Sequence, residues 1–250
     1  MPSEPLSRVD QAVLAAEQRH GFRARLMGVT ISVVIPTLDE AEFVIQAVES
    51  VIGSGVEVIV VDGGSRDETV RLAQEAGVRV LPCERGRARQ LRSGGERSTG
   101  DVIVFLHADT VLSADWKAGV LAALEDPACA GGAFGFRFAE RGLRERWIEG
   151  WVAFRVALFG LPYGDQAIFM RRSVLEGMGG VPIVALMEDL DLVSGIKRAG
   201  RLEMLSAKAR TSSRRYVERG SLWTVFQHGV ALIGWALGAD RERLARWMGR

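Results

Sequence analysis

Cysteine, histidine and any surplus of charge are all scarce in this 250-residue sequence. Its two cysteines, Cys83 and Cys129, exclude a disulfide framework and a four-cysteine zinc site. Three histidines without a His-Glu-x-x-His pattern remove the usual zinc hydrolases. Thirty-two Lys and Arg against thirty-one Asp and Glu leave a formal charge of +1. No global field therefore draws in nucleic acid, and any anion must be held locally. Gly-x-Gly-x-x-Gly does not follow the first predicted strand, and no Gly-x-x-x-x-Gly-Lys-Ser/Thr occurs, so the dinucleotide-fold and P-loop readings lose their main support. Nor is there the Gly-x-Ser-x-Gly elbow of an α/β-hydrolase. The first residues mix Glu4, Arg8, Asp10 and Glu17 with apolar ones and lack a signal-peptide core, which reads as a cytoplasmic chain.

One stretch, 220–239, has no Asp, Glu, Lys or Arg over 20 residues, about the length that spans a bilayer. Gln227 and His228 near its middle and four glycines weaken that reading, because one lone helix offers polar groups no partner inside a membrane. The stretch predicts a helical tail, 216–250, packed on the domain or peripheral to a membrane, with Trp223, Trp235 and Trp247 as packing residues or an interfacial belt. Arginines crowd both ends and suit anionic headgroups as well as a solvated helix end. His228 reads as a buried helix histidine.

What is present describes an ordinary globular chain, 48% hydrophobic and 25% charged. Residues 1–28 predict a polar helical extension, and 29–215 a single α/β domain. The β-branched run at 31–35, closed by Pro36, predicts a buried strand. Further strands are expected over 56–61, 78–81 and 101–106. Between them lie helices: one after Pro36 with Phe43, Ala47, Val48 and Val51 on one face, then 69–76 and 87–97. Alternation of this kind implies right-handed crossovers and a mostly parallel central sheet flanked by helices. From Gly131 the pattern loosens into short apolar runs, Gly-rich turns and helices.

Open parallel sheets bind ligands where strands end. Here the first strand ends in Pro36, Thr37, Leu38, Asp39 and Glu40, the second in Asp62 through Asp67, and the fourth in His107, Ala108 and Asp109. A single strand-end Asp is commonly a helix cap, and Asp67 or Ser65 suits that role. Three carboxylate-bearing ends on neighbouring strands point to a ligand site. A carboxylate beside basic residues suits a divalent cation bridging a diphosphate. Helical spacing would set Arg85, Arg89 and Arg92 on one face with Arg87 elsewhere, and Gly86 opens the helix to an anion.

These residues resemble glycosyltransferase family 2, nucleotide-sugar enzymes of the Rossmann-like GT-A fold. The likeness covers about 31–213. It is carried by the strand ending in Pro36-Thr-Leu-Asp-Glu40, by Val60-Val-Asp62-Gly-Gly-Ser-Arg-Asp67, and by the His107-Ala-Asp109 ending. Gly86-Arg-Ala-Arg-Gln-Leu91, Phe105-Leu-His-Ala-Asp-Thr110 and Pro162-Tyr-Gly-Asp-Gln166 also match a small bacterial subgroup, named for neighbouring radical-SAM or arsenosugar-biosynthesis genes. The resemblance implies that Pro36, Thr37 and Glu40 line a nucleotide pocket and that Asp62 accepts a hydrogen bond from the base, read as uracil. Arg87 and Gln90 would follow the nucleotide or diphosphate, with His107 and Ala108 on the donor side. Asp109 would bind Mg2+ or Mn2+ as the last residue of the family's Asp-x-Asp motif. His107 departs from that motif, standing where the first Asp usually stands; it reads either as a ribose or soft-metal contact or as a satisfied strand-end histidine.

Gly164, Asp165 and Gln166 resemble the family's loop near sugar and acceptor. Three carboxylates, Glu188, Asp189 and Asp191, open a later helix, where acidic residues complement the dipole but repel one another. The family's Glu-Asp pair falls on Glu188 and Asp189, with Asp189 as catalytic base and Asp191 structural. The implied reaction is an inverting transfer of sugar from a UDP-sugar to an acceptor hydroxyl, small or lipid-linked, without nucleic acid. A catalytically silent nucleotide-sugar-binding module and a nucleotidyltransferase are the alternatives.

Overall fold

A computed structural model of the chain describes residues 28–53 and 55–249. The helical extension expected over 1–28 lies, apart from Gly28, outside the described residues.

Eight strands form one sheet: β1 (Ile31–Thr37), β2 (Val56–Asp62), β3 (Arg79–Pro82), β4 (Val102–Phe105), β5 (Thr110–Leu112), β6 (Cys129–Phe138), β7 (Ile168–Arg171) and β8 (Arg201–Thr211). Their order is β3-β2-β1-β4-β7-β6-β8-β5. The first four are mutually parallel, as the alternation of elements predicts. β7 runs antiparallel to β4 and β6, and β5 antiparallel to β8. This is the α/β GT-A-type architecture, a mostly parallel sheet flanked by helices.

β1 and most of β2 are buried on both faces, which is why both are rich in Val and Ile. Ile31, Val33 and Ile35 meet Val44, Ala47, Val48 and Val51 of α1 (Val44–Val51) on one face. Phe43 stands just before that helix, not on its buried stripe. On the other face Val34, Ile59, Val61 and Ile103 meet Leu91 of α3 (Arg87–Arg97), while α2 (Thr69–Glu75) leads into β3. Each such aliphatic side chain contributes roughly 1.5–3 kcal/mol on burial. Gly94 lets α3 lie close on the sheet: a Cβ there would stand 2.3 Å from Val34 Cγ1.

One feature of the basic segment differs from expectation. Arg85 precedes α3, so no single helical face holds Arg85, Arg89 and Arg92. Arg89 bonds Glu84, and Arg92 bonds Glu96 and the Val181 carbonyl. Gly86, with φ 141°, caps the helix where it is expected to begin, and Arg87 turns inward to the acids that open α7 while Arg92 reaches the Val181 carbonyl.

The second half adds α4 (Trp116–Leu124), α5 (Leu143–Phe159), a 3-10 turn at Gly164–Gln166, α6 (Arg172–Gly177) and α7 (Glu188–Ala199). After β8 come α8 (Arg214–Arg219), α9 (Ser221–Ala236) and α10 (Arg241–Trp247). Among the described residues no helix is long and apolar enough to cross a membrane. The tail helices instead pack through Ala231, Ala245 and Met248 on Tyr163, Leu186 and Leu190. Arg241 ties them down. Its guanidinium grips both Asp191 oxygens, one at 2.9 Å, and Trp235 Nε1 donates to Asp191 at 3.0 Å. Arg241→Gln is expected to cost about 1.5–3 kcal/mol and to speed tryptic cleavage within 220–250; unchanged melting and cleavage would show that this pair does not hold the tail.

Candidate functional site

The order β3-β2-β1-β4 reverses direction between β1 and β4, so their carboxyl ends splay around a crevice where an open α/β sheet takes its ligand. The register places Thr37 directly beside Asp62. Asp62 is buried and engaged by its own loop: it accepts from Thr37 Oγ1 at 3.3 Å and from the amides of Gly64 and Ser65 at 2.9 and 3.0 Å. Gln90, also buried, donates Nε2 to the carbonyls of Thr37 and Val61 at 2.7 and 2.8 Å, joining α3 to both strand ends. Pro36 is half-buried beside them. Glu40 pairs with Arg214 at 3.0 Å, which brings the end of β8 to the first strand end. Neither Asp67 nor Ser65 is the cap of α2, whose N-cap is Glu68; Asp67, one residue earlier, accepts from the Thr69 amide at 3.0 Å and from Ala41 N.

A second group of residues gathers next to this crevice through Arg87, the first residue of α3. Its Nε donates to Glu188, its Nη2 lies 3.6 Å from Asp189, and its Nη1 stands 3.2 Å from His107 Nε2. The guanidinium has only protons to offer, so in this contact His107 Nε2 is the acceptor. Asp189 Oδ2 accepts from Gly164 N at 2.8 Å and Oδ1 from Leu190 N at 2.9 Å. The Gly-Asp-Gln turn is set by Gln166, whose side chain spans Tyr163 N and Phe134 O. Asp165 lies in that turn against the same cavity as Asp189.

The electrostatics follow from burial. Glu188 and Asp189 are 3% and 6% exposed, so both carboxylates depend on one cation. Burial drives the Asp189 carboxyl above its ordinary value, and Glu188 adds to the rise while Arg87 and the two backbone donors oppose it. Burial disfavours charge on Arg87, yet Glu188 and Asp189 outweigh it and hold the guanidinium above its ordinary range. The repulsion expected among three acids at the start of α7 is therefore answered within the chain: Arg87 serves Glu188 and Asp189, and Arg241 serves Asp191.

Three side chains at the site escaped the sequence reading. Arg155 of α5 is 6% exposed, with its guanidinium 3.4 Å from the Tyr163 ring centroid. Arg214 carries no motif that marks it. His228, read from sequence as a buried helix histidine, is only half-buried: it stands edge-on to Tyr163 at 5.8 Å and walls the Asp189 cavity. One signal is local: the positive-φ non-glycine residues among those described, Asp39, Ala167 and Met187, all adjoin site segments.

Two cavities meet at Arg87. One, about 40 Å3, lies between His107, Tyr163, Gly164, Asp189 and His228. The other, about 620 Å3, is walled by Arg85, Arg87, Arg89, Glu188 and Glu242 and suits an anionic ligand. Asp109 lines neither. Its Oδ1 faces the hydroxyls of Thr110 and Thr211 at 3.4 and 3.5 Å, with Ala108 buried beside it. Among the described residues no three His, Cys, Asp or Glu side chains are placed to hold a metal. Asp109 offers one carboxylate, and a hard cation bound together with a diphosphate takes only one or two from the protein.

Gly164 is packed without slack: a Cβ would stand 2.9 Å from His107 Nε2 and 3.3 Å from Asp189 Oδ2. Gly164→Ala is expected to lower turnover by about 10²-fold by displacing Asp189, with little change in melting temperature; full activity would mean that the carboxylate's placement is not critical.

The model of the family described as glycosyl transferase family 2 matches residues 32–175. Among curated proteins, the glucosyl-3-phosphoglycerate synthases of Mycolicibacterium paratuberculosis and Mycolicibacterium smegmatis are 34% and 37% identical over 103 residues, 36% of this chain. The matched part is 31% and 34% of those proteins, about a third of their length. Among solved structures, S. aureus TarS 1-349 superposes with a TM-score of 0.57 at 16% identity, covering 76% of this chain and 62% of that one. Glucosyl-3-phosphoglycerate synthase of Mycobacterium tuberculosis, solved with Mn2+, UDP and phosphoglyceric acid, gives a TM-score of 0.56 at 20% identity, covering 74% and 71%. At these identities the superpositions speak for the fold.

Proposed function

Because the chain belongs to glycosyl transferase family 2, we propose that it moves a sugar from a nucleoside diphosphate, read as UDP, to an acceptor hydroxyl by an inverting single displacement. The observation that carries this reading is Asp189: a buried carboxylate held by two backbone amides, facing a small cavity at the mouth of the strand-end crevice. Glucosyl-3-phosphoglycerate synthase, similar in fold, has been solved with UDP-glucose and Mn2+, which supports the choice of donor class. The finer likeness to the radical-SAM-associated subgroup rests on the motifs at 86–91, 105–110 and 162–166 and names no acceptor.

In this reading Thr37, Asp62 and Gln90 shape the floor under the nucleotide, with Pro36 and Glu40 at its edge and His107 and Ala108 behind the donor. Gly164, Asp165 and Gln166 form the turn against which sugar and acceptor rest. Asp109 would hold Mg2+ or Mn2+ together with the diphosphate, and that cation would supply neutralisation of the leaving group's charge. Gly164 N and Leu190 N fix the orientation of the Asp189 carboxylate, one on each oxygen, and leave it lone pairs to accept the acceptor proton. Arg87 opposes the rise that burial imposes on that carboxyl, while Glu188 anchors Arg87. Asp189 then takes the proton as the acceptor oxygen bonds the anomeric carbon and the bond to the diphosphate breaks.

A thermal-shift panel of nucleoside diphosphates and their sugars, with and without Mn2+, tests donor class and metal together. UDP compounds are expected to raise the melting temperature more with Mn2+ than without, and Asp109→Ala to remove the Mn2+ increment. No shift with any nucleotide would refute the reading.

A further inference from the structure

The helices beside the Asp189 cavity present apolar residues to the outside. On α5, Leu143, Trp147, Trp151, Phe154 and Leu158 recur at spacings of four, four, three and four, which sets them on one helical face. All are exposed, from 46% at Trp151 to 88% at Leu143. The opposite face, Ile148 and Val152, is buried against Tyr216 and Phe138. A helix apolar on both sides is built to touch something besides its own domain. α9 repeats the pattern, with Trp223, Phe226 and Ile233 outward. Trp223 stacks on Phe226 at 5.5 Å and meets Trp247 of α10 at 5.9 Å.

The two helices enclose an apolar cavity of about 80 Å3. Trp151 and Phe159 of α5 form one wall, Val225, Gly229 and Leu232 of α9 the other. Its inner end is Tyr163, Asp165 and His228, which also wall the Asp189 cavity. This largely apolar cavity thus adjoins, past Tyr163 and the Arg155 guanidinium that lies on its ring, the cavity of the carboxylate read as the base. The charge pattern selects the kind of apolar surface it meets. The exposed charges on α5 are both arginines, Arg146 and Arg144, the latter paired with Glu145, and on α10 Arg243, paired with Asp240 at 3.3 Å, stands one turn before Trp247 with 81% of its side chain exposed. Tryptophans beside arginines suit the headgroup level of an anionic bilayer.

We propose that the acceptor is an amphiphilic lipid alcohol taken from an anionic membrane surface, its chain lying between α5 and α9 and its hydroxyl reaching Asp189. This rests on the reading of Asp189 as transfer base. The sugar's bond to the diphosphate breaks, its bond to the lipid oxygen forms, and the hydroxyl proton passes to Asp189.

Three measurements on the full chain separate the outcomes. Sedimentation with phosphatidylcholine vesicles containing phosphatidylglycerol is expected to carry the protein down. Trp147→Glu combined with Phe154→Glu should weaken that binding by about tenfold or more. A brominated long-chain alcohol should quench tryptophan emission saturably. Gly229→Leu should abolish that quenching: its added Cβ meets nothing within 4 Å, so the larger side chain enters the cavity without backbone strain. Both variants should keep the UDP-induced thermal shift of the wild type. Vesicle binding absent, undiminished by the two glutamates, or replaced by a dimer that ignores vesicles would overturn the proposal, as would vesicle binding without uptake of the alcohol. Loss of the UDP shift in the wild type would instead overturn the donor reading.

Discussion

Asp189→Asn is expected to lower sugar transfer by about 10³-fold, the scale of a lost general base, while the UDP-induced thermal shift stays within error of the wild type. The amide keeps the shape and can still accept from Gly164 N, but it cannot take a proton. Because burial raises the Asp189 carboxyl, wild-type activity should fall on the acid side with a midpoint above the ordinary aspartate value. The variant's residual activity should lack that limb. An unaltered acid limb in Asp189→Asn would assign it to another group, and loss of UDP binding with preserved turnover would reverse the proposed role.

Arg87→Met should have the largest effect on stability. It leaves Glu188 and Asp189 buried next to each other without their shared cation. Removing one partner of a buried pair costs about 3–5 kcal/mol; the lower end applies because the Arg87 side chain is 30% exposed. At roughly 2–4 °C per kcal/mol for a chain of this size, the melting temperature should drop by about 6–12 °C. The sign of the pH dependence is fixed. Without Arg87 the folded-state Asp189 carboxyl rises further above its unfolded value, so the unfolded state releases the proton first and stability falls as pH rises between the two values. The variant should therefore lose least near pH 4 and most at neutral pH. A deficit independent of pH would mean that Arg87 supports the fold by packing alone.

The parallel half of the fold was legible because its signals are local. β1 and β2 are runs of Val and Ile that only a doubly covered strand buries, and the helices between them are amphipathic. The strand-end residues Thr37, Asp62 and His107 follow from the same rule, since order and register place them on one edge. The arrangement around Arg87 was not legible. Nothing near position 87 shows that its guanidinium reaches Glu188, because that contact joins residues 101 apart and depends on how α7 lies against α3. The same distance effect hid Arg214 beside Glu40 and Arg241 beside Asp191. His107 was ambiguous from sequence because an imidazole at a strand end serves equally as ligand or as acceptor, and its contact with Arg87 joins residues 20 apart. The apolar face of α5 was obscured by its opposite face: with both sides hydrophobic, the spacing marks a helix without telling which side is buried.

The most direct test of the central claim is the configuration of the first product, followed by proton NMR from whichever donor the nucleotide panel identifies. One carboxylate that deprotonates the acceptor, with no residue attacking the sugar, requires the new bond to form opposite the departing diphosphate. The anomeric configuration should therefore be inverted from the earliest time points. A product that keeps the donor's configuration would contradict a single displacement driven by Asp189.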